Sequence, residues 1–126
     1  MKRWVPILVR VFFGFIFTAA ALAGMMGKVP PPEPEPAQVF MGQLMASGVL
    51  YVVKILELMC GLALLSGFFV RLALIILAPI VFNIAYFHAA LDPAGLPVGI
   101  TLIVLWVANA VQVRDAFFPL LQMRDR

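Results

Sequence analysis

Four long apolar runs dominate the chain, separated by short clusters of turn formers, prolines or charges. A spanning α-helix needs about 20 mostly apolar residues at ~1.5 Å rise each. Residues 4–26, 49–68, 69–90 and 97–113 meet that length. The fourth run opens at Pro97, a residue favoured in a first helical turn. The pattern predicts an all-α integral membrane four-helix bundle, a single transmembrane domain over residues 1–126. No internal repeat is evident.

The segments between the runs are read from their turn chemistry. An outer loop over 27–48 holds the run Pro30 to Pro36, with Glu33 and Glu35, which predicts an extended polyproline spacer. Gln38 to Ala46 follows, with Val39, Phe40, Leu44 and Met45 apolar, and reads as a short interfacial helix. Ser47-Gly48 bends the chain into the second span. Residues 91–96 form a short second outer turn, and the tail 117–121 is expected along the inner face.

Composition sharpens this picture. Hydrophobic residues make up 64% of the 126, and charged residues 12%. No water-soluble core of this size could hide so much apolar surface, whereas lipid solvates the outer faces of helices. The formal net charge is +3. Its basic residues stand singly or in pairs without interleaved aromatics, which argues against nucleic acid as a partner. A lone cysteine, Cys60, allows no internal disulfide and reads as a small buried hydrophobe. A lone histidine, His88, cannot give a haem two histidine ligands. No metal site and no covalently bound cofactor are expected, and Met25, Met26, Met41, Met45 and Met59 read as packing.

Orientation follows from lysine and arginine placement. Lys2, Arg3, Arg10, Arg71, Arg114, Arg124 and Arg126 fall on one side of a four-span model, seven of nine basic residues, against Lys28 on the other. Both termini are therefore expected in the cytoplasm. The first run has a rival reading as a cleaved signal peptide, from Lys2 and Arg3 to Ala21-Leu22-Ala23. Against it, the apolar run continues through Gly24, Met25 and Met26. Ala20, Ala23, Gly24 and Gly27 also recur at helical spacing, which suits close helix packing in lipid.

Ionisable groups inside lipid are costly and mark sites or pairs. Lys54 and Glu57 lie in the second span, three residues apart and so on one face. Glu57 falls about 12 Å in from the outer end of its helix, and Asn83 about 10 Å in from the same end of the next. With His88 nearer the outer mouth, these four residues form a candidate ligand-binding or proton-handling cluster in the outer half, with Tyr86 and Thr101 as weaker members. Asn83 and His88 are about 140° apart on an ideal helix, so both face one site only if the helix end unwinds or the imidazole reaches round. Pro79 is expected to kink the helix below them. A plainer reading stands beside this one: a Lys54–Glu57 ion pair, capped by Asn83, that fixes helix register. Asn109 and Gln112 are read as helix–helix hydrogen bonds and Arg71 as a topology anchor. No residue is singled out as catalytic, and no phosphate loop, nucleophile elbow or zinc motif is present.

The pattern Lys54-x-x-Glu57-x-x-x-Gly61-x-x-Leu64-Leu65-x-Gly67, followed by Ala78-Pro79-Ile80-x-x-Asn83-x-x-x-Phe87-His88, resembles the DoxX family. Arg114-Asp115-Ala116-Phe117-x-Pro119-Leu120-Leu121 is similar to its usual ending, with Val113 where an aromatic is typical. The resemblance spans roughly residues 41–121. It implies a four-helix protein of the bacterial inner membrane, linked to quinone-dependent sulfur oxidation or to assemblies handling oxidative stress. The lysine, glutamate, asparagine and histidine match the family's recurrent polar positions.

Three functions of different class remain open. The first is a redox-linked membrane subunit with a quinone or other lipophilic ligand at the polar cluster, its electrons supplied by a partner redox protein. The second is a non-enzymatic scaffold or assembly factor. The third is a small proton-coupled transporter, which would need a homo-oligomer.

Overall fold

The computed structural model describes residues 4–28 and 31–121. Lys2, Arg3, Arg124 and Arg126, four of the residues used to orient the chain, lie outside the described residues, as does Pro30. Helix α1 spans Trp4–Met25, α2 Glu35–Ser47, α3 Val49–Ser66, α4 Val70–Ala90 and α5 Leu96–Gln112. Short 3-10 turns cover Pro93–Gly95, Arg114–Ala116 and Phe118–Leu121. Among the described residues, α1, α3, α4 and α5 with its preceding turn are long and apolar enough to cross a membrane. The chain is thus a multi-pass membrane protein whose large hydrophobic side chains, such as Phe15, Phe82 and Val104, are left exposed for lipid. Each predicted span agrees with its helix to within two residues.

The four spanning helices close into a ring in the order α1, α3, α4, α5, with α1–α3 the most extensive seam. That seam is made of small residues. An added Cβ on Gly14 would stand 2.9 Å from the Gly61 carbonyl oxygen and 2.9 Å from the Leu64 Cβ. One on Gly61 would run into the Thr18 hydroxyl and stand 2.8 Å from the Thr18 amide nitrogen. Backbone therefore meets backbone, the close approach by which helices gain dispersion energy in lipid. The Thr18 hydroxyl donates to the Gly14 carbonyl at 2.8 Å, so it is satisfied within its own helix. Of the small residues singled out from the sequence, Gly24 belongs to this seam, whereas Gly27 lies past the helix end at φ 69° with no neighbour around its Cβ position.

Inside the ring, Phe13 and Phe17 meet edge to face at 5.1 Å between centroids. They pack with Cys60, Leu64, Leu74, Leu77, Val81 and Leu102. Cys60 is buried, as expected of a small hydrophobe. Trp106 on α5 donates its indole N–H to the Leu74 carbonyl of α4 at 2.8 Å. Phe117 then packs on Trp106 at 6.0 Å, folding the tail back onto the bundle. Helix α4 runs on through Pro79.

The proline-rich spacer is shorter than expected. Pro34 is extended at φ −64°, ψ 137°, but Glu35 and Pro36 already belong to the first turn of α2. Proline lacks only an N–H that a first turn leaves unpaired, so Pro36 starts the helix rather than blocking it. Helix α2 rests against α3, and Phe40 meets Phe87 of α4 at 5.6 Å. A single residue, Gly48 at φ 82°, separates α2 from α3. The α3–α4 junction uses two left-handed residues, Gly67 at φ 85° and Phe69 at φ 59°. The second is strained for a side chain of that size.

Candidate functional site

The face of α3 turned into the bundle carries Glu57, Cys60, Gly61 and Leu64, an i, i+3, i+4, i+7 stripe. Glu57 is thereby carried into the interior, 3% exposed. One helical turn before it, the Lys54 Nζ donates to the Glu57 Oε2 at 3.1 Å, with the lysine side chain 19% exposed. Gly24 makes room for the lysine stem, since an added Cβ there would stand 2.7 Å from the Lys54 Cε. The pair is charge-assisted and local, and it lies beside α1. Each member supplies what the other needs, because an unpaired charge in this interior would cost several kcal/mol, of order 3–5.

The other predicted residues are placed apart from this pair. The inward stripe of α4 is Ala73, Leu74, Leu77 and Val81. Asn83 lies two residues past Val81, about 200° round the helix, and is exposed. Among the described residues its amide makes no side-chain hydrogen bond, so it does not cap the Lys54–Glu57 pair. It shares the outward face of α4 with Phe82 and Tyr86, whose rings stack at 6.3 Å.

His88 is turned into the end of the bundle where α4 meets the 91–96 turn, and it holds that turn. Its Nδ1 lies 3.3 Å from the Asp92 carbonyl oxygen and 3.6 Å from the Asp92 Oδ2. The ring covers Gly95, where any Cβ would collide with it, and meets Phe87 edge to face at 5.2 Å. Thr101 is exposed and donates to the Pro97 carbonyl at 2.8 Å, within its own helix. The structure thus joins Lys54 with Glu57 and leaves Asn83, Tyr86, His88 and Thr101 in other settings. Among the described residues, no three His, Cys, Asp or Glu side chains gather as metal ligands.

A further position differs from its sequence reading. Asn109, expected to bond a neighbouring helix, donates instead to the Leu105 carbonyl of its own helix at 2.8 Å. The interhelical hydrogen bond falls to Trp106, which the sequence reading did not single out. Its indole N–H is a donor that must find an acceptor in lipid, and that was the available signal.

Comparison with curated proteins gives no match, and neither does comparison with solved structures. The DoxX family model matches residues 5–90. The match takes in α1, α3 and α4 with their polar residues, begins upstream of the motif-bearing stretch, and leaves the ending at 114–121 outside it. Since it covers more than half of the 126 residues, the chain belongs to the DoxX family.

Proposed function

We propose that the protein is a redox-linked subunit of the bacterial inner membrane that holds a quinone, or another lipophilic ligand with carbonyl acceptors, at the Lys54–Glu57 pair. The observation that carries this reading is a charged pair retained inside a spanning bundle, where apolar residues would pack at least as well. The ammonium group has three N–H donors and gives one to Glu57. Another remains for a carbonyl oxygen, which fits a quinone headgroup. When bound, a quinone supplies the electron-accepting chemistry. Lys54 orients the carbonyl, Glu57 holds and passes a proton, and electrons come from a partner protein.

The test is mass spectrometry of the protein purified in mild detergent, beside the double variant Lys54→Leu with Glu57→Leu. Quinone retained by the natural protein and lost from the folded double variant supports the reading. Equal retention by both removes it.

A second reading, the non-enzymatic scaffold, is favoured by Asn83. An amide on an outward face of a spanning helix has hydrogen-bonding capacity that lipid tails cannot meet, and a partner helix can. Protein partners that copurify without any small molecule, and are lost in Asn83→Leu, would favour it over the quinone site.

A further inference from the structure

The opposite end of the bundle carries a second polar feature, far along α3 from Lys54 and Glu57. A cavity of about 730 Å3 lies where the start of α1, the α3–α4 junction and the end of α5 converge. Arg10 and Arg71 both line it, with Asn109 and Gln112 opposite, and no carboxylate is among its lining residues. Arg10 stands out. Its Cζ, Nη1 and Nη2 are each 3.4 Å from a Cβ position at Gly67, so the guanidinium lies face-on over the glycine. Among the described residues, its Nε is buried and has no hydrogen-bond partner. A buried, unpaired donor on a permanent cation is costly unless a ligand completes it.

The backbone adds to the field. Helix α4 begins at this cavity, with Phe69 and Val70 in its wall, and Phe69 offers the helix no side-chain cap. The unsatisfied amide groups and the dipole of its 21 residues put further positive potential at the same place. Among the described residues, two arginines and an uncapped helix start form a surplus of donors around a space that no carboxylate lines.

We propose that Arg10 and Arg71 bind a phosphate group in this cavity. A phosphate presents several oxygens to planar guanidinium forks, and the fork geometry suits it better than a point charge would. The same chemistry has two sources, the headgroup of an anionic phospholipid whose acyl chains run down the bundle, or free phosphate from the aqueous side.

The experiment uses the full chain, delipidated in mild detergent. Native mass spectrometry measures retention of phosphatidylglycerol against diacylglycerol, which lacks the phosphate. Thermal unfolding compares inorganic phosphate with chloride at equal ionic strength. Preferential retention of phosphatidylglycerol, weakened about tenfold in Arg71→Gln by loss of one charged hydrogen-bonding group, identifies the lipid headgroup as source. Stabilisation by inorganic phosphate, lost in the same variant, identifies the free anion. Arg71 is exposed in the first turn of α4, so its replacement leaves the fold intact. Arg10→Lys keeps the charge, loses the fork, and is expected to bind more weakly than the natural protein. Arg114→Gln removes a charge outside the cavity and should leave binding unchanged. Equal retention of both lipids with no effect of phosphate overturns the proposal. So does an equal loss of binding in Arg114→Gln and Arg71→Gln, since that would be bulk charge alone.

Discussion

Lys54 lies along the backbone of Gly24, close enough that an added Cβ on the glycine would stand 2.7 Å from the lysine Cε and 3.0 Å from its Cδ. The glycine is the seat of the lysine stem, and any larger residue makes that flexible stem shift. Gly24→Val is expected to destabilise the protein by about 1 kcal/mol, the low end for overpacking, because the side chain it meets is flexible. Gly42→Ala is the contrasting change. Nothing lies within 4 Å of its Cβ position in α2, and it should stabilise by roughly 0.5–1 kcal/mol through helix propensity. Denaturation midpoints in one detergent measure both, and a Gly24→Val protein as stable as the natural one would show that Lys54 is not seated there.

Glu57→Gln keeps the shape of the side chain and strands the Lys54 charge. Because Lys54 retains 19% exposure, the expected cost is about 3 kcal/mol, the low end for breaking a buried pair. The double variant Lys54→Leu with Glu57→Leu should regain stability, as apolar replacements of buried pairs often do. Complementation then separates structure from function. A stable double variant that fully restores a strain needing the protein leaves the pair as a register-fixing device and ends the site hypothesis.

Asn83 makes no side-chain hydrogen bond among the described residues and lies outside the core, so Asn83→Leu should shift stability by no more than about 0.5 kcal/mol. Unfolding curves check that number. A marked loss of stability in the purified single chain would mean that the amide is satisfied within the chain after all.

Trp106 joins α5 to α4 through its indole N–H. Trp106→Phe keeps most of the packing, loses the bond to Leu74, and is expected to cost about 1 kcal/mol. Trp106→Ala also opens a cavity under Phe117 and should cost about 3–5 kcal/mol. Similar losses for the two variants would show that the hydrogen bond, and not the ring, holds the helices.

Reporter fusions at Pro34 and at Arg126 should lie on opposite sides of the membrane, with the Arg126 fusion cytoplasmic. Signals from the same side would be incompatible with four crossings.

The spans could be read from the sequence because lipid imposes a length on every apolar run, and the Lys54–Glu57 pair because i, i+3 contacts are set by one helix alone. The azimuth of Asn83 could not. In a soluble helix, a polar stripe marks the outside. Here Ile75 and Phe82 on the outward face are as apolar as Leu77 and Val81 on the inward one, so depth is legible and rotation is not. Glu35 and Pro36 read as spacer in the sequence because proline signals a break and a helix start with the same residue. Arg10 and Arg71 are 61 positions apart in sequence, and each alone is an ordinary topology signal. Only their convergence on one cavity sets them apart.

The proline-rich spacer also bears on how the bundle assembles. The seam between α1 and α3 joins helices that are not consecutive in sequence, and it cannot form until the segment between Met25 and Val49 closes on itself. Closing a flexible loop of that length costs chain entropy. Pro31, Pro32 and Pro34 limit the unfolded segment to a few extended shapes, and α2 shortens what remains to be ordered. The glycines and threonine of the seam have few rotamers to lose in turn. Stiffness in the loop and the scarcity of side-chain freedom in the seam act together, so the most extensive pairing in the bundle forms with little disorder left to remove.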